Sequence, residues 1–228
     1  MNLPISYVQQ LHGLLKEAGD PDIAREQSKY MRNQFAFFGC KSPVWKGISK
    51  EVIWEKGVLK GDSLKDFVRL CFDDPHREMQ YAALLMLERR VKKEEITMIE
   101  FLRECILTKS WWDTVDWISK FVGWHFLRFP ELQQPTSEKW MESGEMWLQR
   151  VAIIHQLAYR EKTDEKLLYD MILRVAGSKE FFLQKAGGWA LRNYSKTNPG
   201  SVGKFISAHT LSPLTVREGM RLIKAGKA

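Results

Sequence analysis

The segment TKSWWDTVDWISKFVGW at 108–124 combines acidic and aromatic residues in a pattern that could support chemistry. Ser110 and Asp113 are spaced as a capping box, which gives Asp113 a structural role at a helix start. Asp116 lies one turn further in and has no cap to satisfy. Trp112 and Asp116 stand at positions i and i+4, so both face one side of a helix and can line one pocket. A fixed carboxylate beside an electron-rich indole is suited to stabilising positive charge.

Two structural interpretations of Asp116 stay open at this point. The side chain is either solvated or paired with an arginine of a neighbouring helix, because perturbed carboxylates also occur in structural ion pairs. In both cases the tryptophans belong to the core. Trp111 and Trp117 point away from the face of Asp116 and are assigned to packing.

The segment WLQRVAIIHQLAYR at 147–160 carries an apolar helical stripe with Arg150 beside it. One interpretation of Arg150 is a surface arginine whose stem covers apolar area. His155 lies on the apolar face, which is typical of a buried, hydrogen-bonded histidine and not of a catalytic base.

The segment FFLQKAGGWALRNYSK at 181–196 contains two glycines inside a helical pattern. Each glycine costs roughly 1 kcal/mol relative to alanine in a helix. We therefore expect a packed helix or a ligand to approach the backbone at Gly187 and Gly188. Trp189 follows directly, and the polar side of the same helix carries Arg192, Asn193 and Lys196.

The elements that must position these residues are helices. Apolar residues recur at helical spacing along almost the whole chain, and alternating strand patterns are hard to find. The pattern predicts an all-α protein, with helices at about 5–19, 22–35, 43–59, 63–73, 76–91, 94–108, 111–125, 137–144, 146–160, 164–176, 179–196, 199–208 and 213–225.

Short connections between these helices predict antiparallel pairs stacked side by side as an α-solenoid. The sequence shows no strict repeat and contains no linker long enough to separate domains. The segment FPELQQPTSEK at 129–139 is interpreted as a long loop. We expect one domain spanning 1–228. A solenoid curves, so its concave face is the expected binding groove.

The chain has 228 residues, with 35 Lys and Arg against 28 Asp and Glu, and therefore a net charge of +7. This surplus favours nucleic acid bound in a basic groove.

The three cysteines form no CxxC pair and the five histidines form no HExxH motif, so we expect reduced thiols and no bound metal. Glycine-rich phosphate loops are missing, and we expect no cofactor. The polar N-terminal segment and the lack of a long apolar run predict a cytoplasmic protein that does not enter membranes.

Together, SWWDTVDW, WLQRVAIIHQLAYR and FFLQKAGGWALRNYSK, with NQFAFFGCKSP before them and LSPLTVREGMRLI after them, resemble the bacterial AlkD-type DNA alkylation repair glycosylases, which are built from HEAT-like repeats. The resemblance covers nearly the whole chain. It implies that Asp116 is the catalytic carboxylate and that Trp112 and Trp189 flank the deoxyribose of the lesion. It also implies that Arg150 contacts the backbone phosphate there and that Tyr30 lies near the same cleft.

The function implied by this resemblance is base excision repair by a monofunctional DNA glycosylase. Its substrates would be positively charged purines of the 3-methyladenine and 7-methylguanine type in double-stranded DNA. We expect a monomer that also uses Arg192 and Lys196 to contact DNA. The alternative is a HEAT-like DNA- or protein-binding scaffold without catalysis. A lyase would need an amine beside the sugar, whereas Lys109 and Lys185 are expected to face phosphates or solvent.

Overall fold

The computed structural model describes residues 3–226, and in them fourteen α-helices are joined by short turns. The predicted all-α class is confirmed. The helices are α1 Leu3–Glu17, α2 Pro21–Tyr30, α3 Ser42–Lys56, α4 Gly61–Asp73, α5 Arg77–Glu88, α6 Met98–Leu107, α7 Trp112–Arg128, α8 Gln133–Glu142, α9 Met146–Ile154, α10 Glu165–Arg174, α11 Phe181–Tyr194, α12 Pro199–Ala208, α13 Pro213–Gly219 and α14 Arg221–Lys224. Short 3-10 helices cover Val91–Lys93, Pro130–Leu132 and Arg160–Lys162.

The helices form two compact units, the first ending at Phe101 and the second beginning at Leu102. In the first unit, α1 packs against α3 and α4, and α5 packs against the same two helices. In the second unit, α9 contacts α7, α8, α10 and α11, and α11 packs against α13. The single domain over 1–228 stays a prediction.

Three helices begin as their sequences dictate, at a capping residue followed by proline. The side chains of Asp20, Asn198 and Ser212 each accept a hydrogen bond from a backbone N–H in the first turn of α2, α12 and α13. The next residue is a proline in each case, and proline at the first helical position lacks only an N–H that would have no helical partner anyway. These starts agree with the sequence prediction.

Several predicted ends are wrong because local turns override the apolar periodicity. Helix α2 stops at Tyr30 and not at 35, since Arg32 and Asn33 adopt positive φ angles of 55° and 56°. Helix α9 stops at Ile154 and not at 160. The single helix expected over 213–225 is divided into α13 and α14.

The interpretation of 129–139 as a long loop is wrong as well. A 3-10 turn at Pro130–Leu132 leads directly into α8, which starts at Gln133. Pro135 lies in the first turn of α8, where proline is tolerated. Trp140 is buried and anchors this helix.

Ser110 does not cap α7, contrary to the capping box expected from its spacing with Asp113. The N-cap residue is Trp111, whose side chain makes no capping bond. The Ser110 hydroxyl instead donates to the Ile106 carbonyl at 2.6 Å, so it serves the end of the preceding helix α6. The φ angle of 45° at Lys109 makes the tight turn between the two helices.

The glycine pair in α11 permits close contact with α13, one of the two alternatives left open by the sequence. A Cβ atom at Gly188 would lie 2.6 Å from Cβ of Glu218, and one at Gly187 would lie 3.3 Å from Cγ2 of Thr215. These distances show that α13 lies directly against the glycine backbone.

All three cysteines are buried, and none forms a disulfide among residues 3–226, which agrees with the expected reduced thiols. Over residues 3–226, every helix is either too short or too polar to cross a membrane.

We predict that Gly188→Ala destabilises the protein by roughly 1–3 kcal/mol, because the new methyl group forces α11 and α13 apart. Gly203→Ala is the matched control. Gly203 lies inside α12 with open space around its Cβ position, so alanine should stabilise the helix by about 0.5–1 kcal/mol. Urea denaturation of the two variants measures the difference, and equal stabilities would contradict the proposed close packing.

Candidate active site

Asp116 forms a bidentate ion pair with Arg150. Arg150 Nε donates to Oδ1 of Asp116 at 2.7 Å, and Nη2 donates to Oδ2 at 2.8 Å. The side chains are only 18% exposed for Asp116 and 6% for Arg150. Of the two interpretations left open for Asp116, pairing with an arginine of a neighbouring helix is therefore confirmed, and the surface interpretation of Arg150 is wrong.

Three helices hold this ion pair in place: α7 carries Asp116, α9 carries Arg150 and α11 supplies a further hydrogen-bond acceptor for Arg150. Asp116 lies in the second turn of α7, and Arg150 lies in α9 among buried apolar neighbours. The third anchor is the carbonyl oxygen of Phe182 in α11, which accepts from Arg150 Nη1 at 2.7 Å. Because all three nitrogens of the guanidinium make contacts, its orientation toward Asp116 is fixed.

An aromatic cluster holds the Phe182 anchor in place. The ring of Trp111 lies 5.3 Å from Phe182 and 5.9 Å from Trp147, and Trp147 lies 4.9 Å from Phe182, measured between centroids. Such edge-to-face and tilted pairs contribute about 0.5–1.5 kcal/mol each beyond burial. The assignment of Trp111 to packing is confirmed, and this packing indirectly positions Arg150.

Burial and the ion pair act on Asp116 in opposite directions. Burial raises the pKa of Asp116 above its ordinary value and is the dominant cause, whereas the hydrogen bonds and charge of Arg150 lower that pKa. The negative charge of Asp113 adds a smaller upward contribution. Asp116 is thus a carboxylate whose proton affinity exceeds that of an exposed aspartate, which suits it to receive a proton from a bound water.

Asp116 also lines a cavity of about 250 Å³ in the second unit. The cavity, called the Asp116 cavity below, is walled by one face of α7, by the turn after α9 and by Trp189 of α11. Its lining residues are Asp116, Ser119, Lys120, Gly123, Trp124, Ile154, His155, Leu157, Ala158, Tyr159 and Trp189. Apart from Asp116, Lys120 and a few polar atoms, the walls are apolar, so a charge placed there is weakly screened.

Gly123 allows the turn after α9 to close one side of the cavity. The carbonyl oxygen of His155 lies so close to Gly123 that a Cβ atom at position 123 would clash with it. The Tyr159 hydroxyl donates to the Gly123 carbonyl at 2.7 Å, and the Asn193 side-chain amide donates to the Leu157 carbonyl. The turn is therefore attached to both α7 and α11.

His155 is buried and hydrogen-bonded, as expected. Its Nδ1 lies 2.9 Å from the Ala152 carbonyl oxygen. Burial is the main cause that lowers the pKa of His155 to about 4, so the ring is neutral at pH 7. A carbonyl can only accept, so Nδ1 carries the proton and Nε2 has a free lone pair.

The two tryptophans singled out beside Asp116 occupy different positions. Trp189 is half-buried and lines the Asp116 cavity. Trp112 is the first residue of α7, one turn before Asp116 on the same helix face, and is also half-buried. Trp112 is not among the cavity-lining residues in the described part of the chain. The structure thus brings Asp116, Arg150 and Trp189 together.

Besides Arg150, three residues are expected to contact DNA, and none of them lines the Asp116 cavity. Tyr30 ends α2 in the first unit, and its side chain is 71% exposed. Arg192 Nη1 donates to Glu218 at 2.6 Å, and Lys196 is exposed just after α11. Lys185 also pairs with Glu218, at 3.0 Å, and its side chain is 40% exposed, so it faces solvent as expected.

Sequence reasoning missed Lys120 and Trp124, although both line the Asp116 cavity. The ammonium of Lys120 lies 4.6 Å from the centroid of Trp124. The two residues follow Asp116 at i+4 and i+8, so helical spacing could have placed them on its face. No local sequence pattern predicts that Tyr159 lines the cavity. It reaches the cavity because α9 ends at Ile154.

The chain is similar to a known protein family and to a solved structure. A family model described as DNA alkylation repair enzyme matches residues 11–223. A solved structure described as "Predicted DNA alkylation repair enzyme from Enterococcus faecalis" is 32% identical and has a TM-score of 0.84, over 89% of this chain and 95% of that chain. No curated protein matches this chain. The family match includes Asp116, Arg150 and Trp189.

We predict that Arg150→Gln lowers the free energy of unfolding by about 3 kcal/mol, because it leaves a buried carboxylate without its counter-charge. The pKa of Asp116 should also rise further, since Arg150 opposes the effect of burial. Chemical denaturation measures the first effect, and carboxyl NMR titration measures the second.

The control for this prediction is Arg174→Gln. Arg174 pairs with Asp170 at 3.0 Å and with Glu142 at 3.7 Å. The side chains are 36% exposed for Arg174, 48% for Asp170 and 72% for Glu142, so the free energy of unfolding should fall by less than about 1 kcal/mol. If Arg150→Gln and Arg174→Gln lowered the free energy of unfolding by similar amounts, the ion pair of Asp116 and Arg150 would behave as a surface ion pair.

Proposed function

The chain belongs to the DNA alkylation repair enzyme family, and we propose that its own reaction is that of a monofunctional DNA glycosylase. The proposed substrates are positively charged alkylated purines of the 3-methyladenine and 7-methylguanine type in double-stranded DNA. The observation that carries the proposal is the Asp116 carboxylate on the cavity wall, fixed by Arg150 and accompanied by Trp189.

The proposed reaction is hydrolysis of the N-glycosidic bond. An alkylated purine carries a positive charge and leaves as a neutral base when it takes the electron pair of the bond to C1′. Positive charge then develops on the sugar, as in glycoside hydrolysis. A water oxygen bonds to C1′ and releases its proton to Asp116 or to solvent. One carboxylate is enough, because the leaving group needs no acid.

The electrostatic stabilisation that Asp116 can supply is large enough to accelerate this hydrolysis. A carboxylate about 4 Å from the developing charge contributes roughly 4 kcal/mol at an effective dielectric constant near 20. That energy corresponds to about a thousandfold in rate. Because Arg150 holds the carboxylate before the reaction starts, little reorganisation is needed when the charge forms.

The indole rings of Trp112 and Trp189 are proposed to flank the deoxyribose. Their electron-rich faces would each add about 0.5–2 kcal/mol through cation–π attraction to the oxocarbenium-like sugar. Helical spacing puts Trp112 one turn from Asp116, and Trp189 lines the cavity from α11. The site would thus stabilise the same charge from several sides.

Contacts with DNA are proposed to use the phosphate backbone. The net charge of +7 favours a polyanion, and Tyr30, Arg192 and Lys196 remain the proposed contacts. Arg150 has five N–H donors, of which three serve Asp116 and Phe182; the others are proposed for the phosphate at the lesion. We also propose that the protein acts as a monomer.

One observation favours the alternative, a DNA-binding scaffold without catalysis. Both carboxylate oxygens of Asp116 accept from Arg150, and a purely structural ion pair would have the same geometry. The two functions differ in product. A glycosylase releases free purine and leaves an abasic site, whereas a scaffold binds DNA and releases nothing.

We predict that Asp116→Asn lowers the single-turnover rate of 7-methylguanine release from methylated duplex DNA by roughly a hundred- to a thousandfold. The substitution preserves size but removes the negative charge. Asp170→Asn is the matched control, because it removes an aspartate from an exposed ion pair with Arg174 in the same unit.

Asp116→Asn leaves the buried Arg150 without its counter-charge, so its free energy of unfolding should also fall by about 3 kcal/mol. The rates are therefore compared at a temperature at which circular dichroism shows both variants folded, and DNA affinity should be nearly unchanged in both. An Asp116→Asn protein that folds and releases base as fast as the wild type would overturn the proposed mechanism. A wild-type protein that binds DNA but releases no base would favour the scaffold.

A further inference from the structure

Three potential metal ligands meet in the first unit, although His12 is far in the sequence from Asp74 and His76. His12 lies in α1, Asp74 follows α4 and His76 precedes α5. Their ligand atoms all lie within 4.8 Å of one another. Nε2 of His12 is 3.6 Å from Oδ2 of Asp74, and Nδ1 of His76 is 2.9 Å from Oδ1.

The ligands are held by their surroundings. The ring of His76 stacks on Phe38 with centroids 3.9 Å apart, and the ring of His12 meets Phe38 edge-on at 5.0 Å. Gln80 donates to the Asp74 carbonyl at 2.9 Å. The carboxylate of Glu78 accepts from the backbone N–H groups of Phe38 and the next two residues, which fixes the loop carrying that ring.

We propose that His12, Asp74 and His76 bind a divalent transition-metal ion of the zinc type. Two imidazoles and a carboxylate are a donor set that suits zinc. With bonds of 2.0–2.1 Å, ligands in a tetrahedral site lie about 3.3 Å apart. Nδ1 of His76 and Nε2 of His12 contact different oxygens of Asp74, at 2.9 and 3.6 Å, so the ion would replace the hydrogen bond between His76 and Asp74.

The site has the access that such an ion requires. The side chains are 38% exposed for His12, 27% for His76 and 12% for Asp74, so the carboxylate lies at the base and the imidazoles at the rim. Three protein ligands leave a fourth position for water. The bound ion would link α1 to the connection between α4 and α5 and thereby stabilise the first unit.

Sequence spacing alone could not predict this site. The sequence analysis instead predicts that the protein binds no metal. Known motifs place two ligands within a few residues on one element. Here His12 joins the other two only through the packing of α1 against α4. The proposed ion is independent of the Asp116 cavity, which lies in the second unit.

The test is calorimetric titration of tag-free, metal-stripped protein with zinc chloride, supported by the visible absorption of bound Co²⁺. We expect one ion per chain and a higher Tm in the presence of zinc. His12→Gln and Asp74→Asn should each weaken binding by at least about tenfold. His209→Gln is the control, because His209 lies in the second unit outside the cluster.

Circular dichroism without metal verifies that each variant folds. Failure of the wild type to bind zinc saturably would overturn the proposal and identify the cluster as a hydrogen-bonded structural network. Binding that is unchanged in both His12→Gln and Asp74→Asn would overturn it as well.

Discussion

The second unit depends on one buried ion pair. Neither Asp116 nor Arg150 could keep its charge at this depth alone, since removing an ion from water costs several kcal/mol. The pair is stable because Arg150 meets both carboxylate oxygens and the Phe182 carbonyl at hydrogen-bond distances. This requirement fixes the relative positions of α7, α9 and α11, and it leaves the carboxylate at the edge of a cavity.

The same arrangement connects stability to the proposed chemistry. A structural ion pair in a closed core would be inert, but Asp116 borders a space large enough for part of a nucleotide. The turn at 155–159 forms one wall of that space. It can lie close to α7 because α9 ends early and because Gly123 has no side chain. Family membership then supplies the substrate class, alkylated DNA, on which a fixed negative charge is useful.

Residue patterns predicted much of the fold, because helical periodicity and capping are local. The starts of α2, α12 and α13 follow from an Asp, Asn or Ser before proline. The end of α9 and the start of α8 were mispredicted, because local turns override the apolar periodicity there. Asp116 could be singled out by its position without a cap. Sequence could not predict that Arg150 pairs with Asp116, that Tyr159 lines the cavity or that a cluster forms around Asp74, since contacts between distant helices create these arrangements.

The central claim is that Asp116 stabilises positive charge on the sugar, and binding of transition-state mimics tests it most directly. Duplex DNA carrying a cationic pyrrolidine abasic-site analogue should bind the wild-type protein about a hundredfold more tightly than DNA with a neutral tetrahydrofuran analogue. This preference should largely disappear in Asp116→Asn. Equal affinity of the wild type for the two DNAs, or an undiminished preference in the variant, would contradict the claim.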